Sequence, residues 1–101
     1  GYGSAAIGLY AAANGIQSIA LGQESKADKN RSIAIGLSTL ADGVDSIAMG
    51  TKSMSHASKG VSLGSGATST IESSVALGAL SSTSGQASQW VMIQLQKRLR
   101  I

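Results

Sequence analysis

Hydrophobic and small residues alternate in short segments that recur every 14 residues along this chain. Each segment ends on a glycine, and the six copies read SAAIG, SIALG, SIAIG, SIAMG, GVSLG and SVALG. Alternation with a period of two, together with β-branched residues, predicts a short strand before each glycine. The six glycines are Gly8, Gly22, Gly36, Gly50, Gly64 and Gly78.

A second alternating element begins a few residues after each glycine and predicts a second short strand. It is followed by the dipeptides Asn14-Gly15, Asp42-Gly43 and Ser84-Gly85, which suit turns with positive φ. Two strands and two turns in each repeat predict one coil of a parallel β-roll, with coils about 4.8 Å apart. The fold class is therefore all-β, with about six coils of 14 residues. The second element contains Ala11 and Ala13, Ser25 and Ala27, Thr39 and Ala41, Ser53 and Ser55, Ala67 and Ser69, and Ser81 and Thr83.

The two faces of the first strand differ in side-chain size, and we expect both to be buried. We expect the large residues, here called the aliphatic face, to fill the roll core. We expect the other face, here called the small column, to form a trimer interface, because only small side chains fit where identical faces meet closely. A homotrimer is the natural closed arrangement of three such rolls. The aliphatic face comprises Ile7, Ile19, Leu21, Ile33, Ile35, Ile47, Met49, Val61, Leu63, Val75 and Leu77; the small column comprises Ala6, Ala20, Ala34, Ala48, Ser62 and Ala76.

Composition and charge exclude several classes of protein. The chain has 101 residues and a net charge of +3, but the excess lies in Lys97, Arg98 and Arg100, since residues 1–86 hold five basic and five acidic side chains. No basic face is available for nucleic acid. No apolar run approaches the roughly 20 residues of a membrane-spanning helix, so we expect no membrane contact by this fragment. The absence of Cys excludes disulfides and thiolate metal sites.

Candidate chemistry is sparse, and we predict no enzyme, no metal and no cofactor. Asp28 and Asp42 share one column of the repeat and could stack as an acid pair, and His56 follows them in the same column. We interpret all three as solvated turn residues. Catalysis needs positioned acids, bases or nucleophiles, and the single histidine has no partners at the spacing of a catalytic triad.

Alternating charges mark the column that precedes each first strand, and we call these residues the charge column. We interpret them as a surface ladder that favours the native stacking register; the alternative is a strip that contacts a ligand. The charge column comprises Gln17, Arg31, Asp45, Lys59 and Ser73.

The repeated S-[VI]-A-[ILM]-G followed by x-x-S-x-A resembles the head domain of trimeric autotransporter adhesins of Gram-negative bacteria. The resemblance covers residues 4 to about 87. It implies a left-handed parallel β-roll, three chains around one axis, and display at the cell surface outside the bacterial outer membrane. It also implies binding to host extracellular matrix or cell-surface proteins. The asparagine that often precedes the serine in this family is replaced throughout, so no binding site is carried over.

We expect the roll to span residues 1–87 and a tail to span residues 88–101, because a seventh repeat fails at Trp90 and Met92. The tail is a strand, a neck-like helix or an artificial end. The expected function is an adhesin head; the alternative is a rigid spacer in a phage or secreted trimeric fibre. The possible ligand surface lies on the second strands and adjoining turns, where binding should be broad, shallow and multivalent. It comprises Lys26, Leu40, Lys52 and Met54.

Overall fold

A computed structural model of the chain describes residues 1–83 and Lys97, and residues 1–83 form a parallel β-roll. The predicted boundary at residue 87 and the three alternatives for residues 88–101 lie outside the described residues, apart from Lys97. The longer strands are β1 (Ala5–Ile7), β3 (Ile19–Leu21), β5 (Ile33–Ile35), β7 (Ile47–Met49), β9 (Val61–Leu63) and β11 (Val75–Leu77). The shorter strands are β2 (Ala12–Ala13), β4 (Lys26–Ala27), β6 (Leu40–Ala41), β8 (Met54–Ser55) and β10 (Thr68–Ser69).

Two parallel sheets run the length of the described roll. The longer strands form one sheet in the order β1-β3-β5-β7-β9-β11, and the shorter strands form the other in the order β2-β4-β6-β8-β10. Every pair joins residues 14 apart, as in Ala20↔Ala34 and Ala27↔Ala41. The predicted parallel roll of 14-residue coils is confirmed.

The glycine that ends each of the first five longer strands is required by both conformation and space. Gly22 has φ 126°, a region that residues with a side chain rarely adopt. A Cβ at this position would lie 2.5 Å from the carbonyl oxygen of Gly36, because the next coil approaches closely. The 14-residue spacing of glycine therefore records the stacking of the coils.

The predicted turn glycines have a different role from the one expected. Gly15 and Gly43 are not among the residues with positive φ. Glycine is needed there because a Cβ would collide with the carbonyl oxygens of Lys29 and Ala57. Positive φ falls instead on residues with side chains, at φ values between 56° and 63°: Tyr10, Gln17, Glu24, Arg31, Ser38, Asp45, Lys52, Lys59, Ser73 and Leu80.

The interior of the roll holds the small column, so the predicted assignment of the two faces is wrong. The predicted interface residues Ala20, Ala34, Ala48, Ser62 and Ala76 are fully buried at 0% exposure within the single chain. Only Ala6, on the first strand of the sheet, is exposed.

The aliphatic face, predicted as the roll core, lies outside the roll. None of its residues is buried; Ile7, Ile19, Met49 and Leu77 are exposed and the others are partly exposed: Leu21, Ile33, Ile35, Ile47, Val61, Leu63 and Val75. The physical reason is the short perimeter of a 14-residue coil. Its two sheets lie so close together that larger side chains between them would overpack the core.

Buried serines satisfy the backbone carbonyls of the turns. Ser18 Oγ donates to the carbonyl of Gly15 at 2.7 Å, and Ser25 Oγ donates to that of Gly22 at 2.8 Å. Among the described residues, no buried side-chain nitrogen or oxygen lacks a hydrogen-bond partner. A small polar interior is therefore stable here, because burying a hydroxyl is costly only when it is unpaired.

The fifth coil solves the same packing problem with different residues. Gly60 stands where the other described coils have serine, and the hydroxyl of Ser55, one coil earlier, donates to the carbonyl of Gly60 at 2.8 Å. Ser62 replaces the usual alanine and donates to the carbonyl of Met54 at 2.8 Å. The hydroxyls have moved to neighbouring positions, and the glycine makes room for them.

Candidate functional site

Three of the four residues predicted as a ligand surface form one row on the outside of the shorter strands. Lys26 pairs with Leu40, and Leu40 pairs with Met54 in the parallel register. Lys26 and Met54 are exposed and Leu40 is partly exposed. Lys52 lies in the turn before β8 with φ 62°. The structure thus places Leu40 and Met54 next to Lys26 in one row on an open surface, with Lys52 in the adjoining turn; ligand binding there stays a prediction.

The carboxylates beside this row are engaged with lysines and with an amide. Asp28 Oδ1 accepts a hydrogen bond from Asn14 Nδ2 at 2.7 Å, and its Oδ2 lies 4.0 Å from Lys26 Nζ. Asp42 Oδ1 lies 4.0 Å from Lys29 Nζ. These contacts favour the interpretation of Asp28 and Asp42 as solvated turn residues over their interpretation as an acid pair.

No metal centre is formed within the described part of the chain, where no group of three or more metal-ligating side chains comes together. His56 is exposed in the turn after β8.

The charge column contains one well-formed ion pair. Arg31 Nε donates to Asp45 Oδ1 at 2.6 Å, and its second nitrogen donates to Oδ2 at 3.2 Å. The hydrogen bond from Arg31 holds the pKa of Asp45 below its ordinary value, with Lys59 adding a smaller electrostatic effect. The same hydrogen bond raises the pKa of Arg31. Because the pair joins adjacent coils, it supports the predicted role in stacking register.

The exposed aliphatic face is a candidate functional surface that the sequence interpretation had placed inside the roll. Two columns of turn residues border it, and both contain exposed apolar side chains. The column before the longer strands, the leading rim, comprises Tyr2, Ile16, Asn30, Val44, Ser58 and Glu72; the column after them, the trailing rim, comprises Leu9, Gln23, Leu37, Thr51, Ser65 and Ala79. An apolar surface that extends over six strands is typical of an interaction site.

A sequence signal for this surface existed but was ambiguous. Strands with apolar residues at both parities indicate burial on both sides, and the size difference between the faces was the remaining clue. Close packing of identical chains and close packing of two sheets in one chain both select small residues, so size alone did not decide. The length of the coil decides between them, because a coil of 14 residues holds its two sheets too close together for large side chains.

Within residues 1–83 and Lys97, no helix has the length and apolar character needed to span a membrane.

Comparison with known proteins identifies the repeat. The profile of the family described as YadA head domain repeat (2 copies) matches residues 1–25, 13–39, 27–53, 41–67 and 57–81. A solved structure, the collagen-binding domain of the Yersinia adhesin YadA, is similar with a TM-score of 0.68 and 37% sequence identity. The match covers 70% of this chain and 39% of that one, so this chain spans well under half of its length. No match was found among curated proteins.

Proposed function

Because the chain belongs to the family of YadA head domain repeats, we propose that it acts as the head of a bacterial surface adhesin. It binds a host extracellular matrix or cell-surface protein and is displayed outside the outer membrane. The function is non-enzymatic and needs no cofactor. The family match over residues 1–81 and the likeness to an adhesin's collagen-binding domain support this proposal.

The proposed assembly is a homotrimer held by the aliphatic face and not by the small column. The observation that supports it is the aliphatic face of exposed and partly exposed Ile, Leu, Val and Met side chains along the whole described sheet, with Leu77 45% exposed. Burial of such side chains contributes about 1.5–3 kcal/mol each. Three copies around one axis bury three identical faces and close the assembly.

The ligand surface then lies on the outer side of the trimer. The shorter strands form the sheet opposite the aliphatic face, so Lys26, Leu40 and Met54 stay accessible when the aliphatic faces are joined. A straight row with a basic end and two apolar members suits an extended protein ligand such as collagen better than a small molecule, which prefers a concave pocket. Three rows per trimer add avidity to weak single contacts.

The test is solid-phase binding of the intact protein to collagen, fibronectin and laminin. We expect binding to at least one of them, and we expect Leu40→Ser with Met54→Ser to reduce it. The matched control is Tyr2→Ser, which removes an apolar side chain 87% exposed outside this row. Light scattering at the same concentration reports the assembly. Unchanged binding by the double variant would refute the ligand surface, and no binding by the wild type would favour the spacer function.

A further inference from the structure

The two rims that border the aliphatic face carry matching chemistry at a fixed offset of seven residues. Over four successive coils the trailing rim runs apolar, amide, apolar, hydroxyl, and the leading rim repeats this order seven residues later; the next pair, Ser65 with Glu72, joins a hydroxyl and a carboxylate. The matched residues are Leu9 with Ile16, Gln23 with Asn30, Leu37 with Val44, and Thr51 with Ser58. The apolar members are 61% (Leu9), 49% (Ile16), 43% (Leu37) and 38% (Val44) exposed.

We propose that these rims pair between copies of this chain, so that the trailing rim of one copy packs along the leading rim of the next and selects identical copies. This inference rests on the proposed trimer. The aliphatic face supplies apolar area that any roll of this kind could bury. The side chains of the rims differ in type from coil to coil, so their order distinguishes this chain from another roll with a similar aliphatic face.

Cyclic symmetry brings the two rims together. When the rolls stand side by side around an axis parallel to their own, the strands run head to tail around that axis. The end of a strand in one copy then adjoins the start of the equivalent strand in the next. Each trailing-rim residue therefore faces two leading-rim residues, one seven residues before it and one seven residues after it, each half a coil or about 2.4 Å away along the axis. The matched chemistry selects the later one, so Val44 of one copy, and not Asn30, lies beside Leu37 of the next.

A hydrogen bond within one chain orients Asn30 for the corresponding contact with Gln23 of the next copy. Asn30 Oδ1 accepts a hydrogen bond from the backbone N–H of Ile16 at 3.0 Å. This contact orients the side chain on the rim and leaves its NH₂ group to donate to Gln23 of the next copy. The side chains of Leu37 and Val44, by contrast, have only apolar surface to offer, and each gains from covering the other.

Cysteine cross-linking tests this pairing, because the chain has no cysteine of its own. In the full-length chain carrying Leu37→Cys and Val44→Cys, oxidation should join three chains, giving a band of three times the mass without reductant. The control pairs Leu37→Cys with Glu72→Cys, which lies two and a half coils away at about 12 Å along the axis. That separation exceeds the reach of a disulfide, so no joined species is expected.

The outcomes separate the rim pairing from the trimer itself. A trimer by light scattering that stays a single chain after oxidation would overturn the rim pairing and leave the trimer intact. A monomer by light scattering would overturn both. If the cysteine variant does not fold, Leu37→Lys should weaken association about tenfold, and adding Val44→Glu should restore it; additive losses would overturn the pairing.

Discussion

Replacing Gly60 by serine should destabilise the roll, although serine stands at the equivalent position of the other described coils. A Cβ built on Gly60 lies 2.6 Å from Ser69 Oγ and 3.0 Å from Ser55 Oγ. Both hydroxyls belong to fully buried side chains, so neither can move to solvent. Overpacking of a dense core costs about 1–3 kcal/mol, and displacing the Ser55 hydroxyl also weakens its bond to the Gly60 carbonyl.

The effect should disappear when the neighbours are also returned to the usual residues. In the third coil the equivalent of Gly60 is Ser32, and the equivalents of Ser55 and Ser69 are Ala27 and Ala41. The triple variant Gly60→Ser, Ser55→Ala, Ser69→Ala recreates that arrangement. We expect the free energy of unfolding of the triple variant to return to within about 1 kcal/mol of the wild type. The three substitutions together should therefore cost much less stability than the sum of their separate effects.

Urea unfolding followed by circular dichroism measures these differences, with protein concentration held constant because association contributes to stability. Replacing a glycine without strain normally stabilises by about 0.4–1 kcal/mol through the unfolded state. Gly60 does not have positive φ, so this gain is the competing expectation. A single Gly60→Ser variant as stable as the wild type would refute the packing argument.

Three further predictions test the fold. Ala34→Leu should destabilise the single roll by at least about 1–3 kcal/mol, whereas Ile33→Ser should leave the roll folded and weaken association in sedimentation experiments; the reverse would restore the original assignment of the faces. Ser38→Gly should stabilise by about 1 kcal/mol in thermal unfolding, because Ser38 has φ 56° and left-handed backbone is costly with a side chain, while Ser38→Val should do the opposite. Since Arg31 lowers the pKa of Asp45, the pair should contribute to stability above about pH 5 and lose that contribution as pH falls below about 3.9; Asp45→Asn should remove this part of the pH dependence in urea titrations.

The sequence by itself determined the repeat, the strands and the path of the chain. Equivalent residues in stacked coils occupy the same environment, so a constraint such as the one on Gly22 recurs every 14 residues and can be read directly. Alternation with period two located the longer strands, and the same motif in every 14-residue repeat indicated parallel stacking of equivalent strands. The family could be recognised from the same motif because it encodes this coil.

Only the tertiary structure decided which face is inside and where the backbone turns to positive φ. Alternating Ala and Ile predict a strand with two apolar faces, and no local rule says which face meets the second sheet. The narrow space within the coil decides, since it admits Ala34 and excludes Ile33. Likewise Lys52 and Lys59 have positive φ without a local sequence signal, because the closure of the coil imposes the turn. The stacking hydrogen bonds between neighbouring coils offset the cost of this conformation.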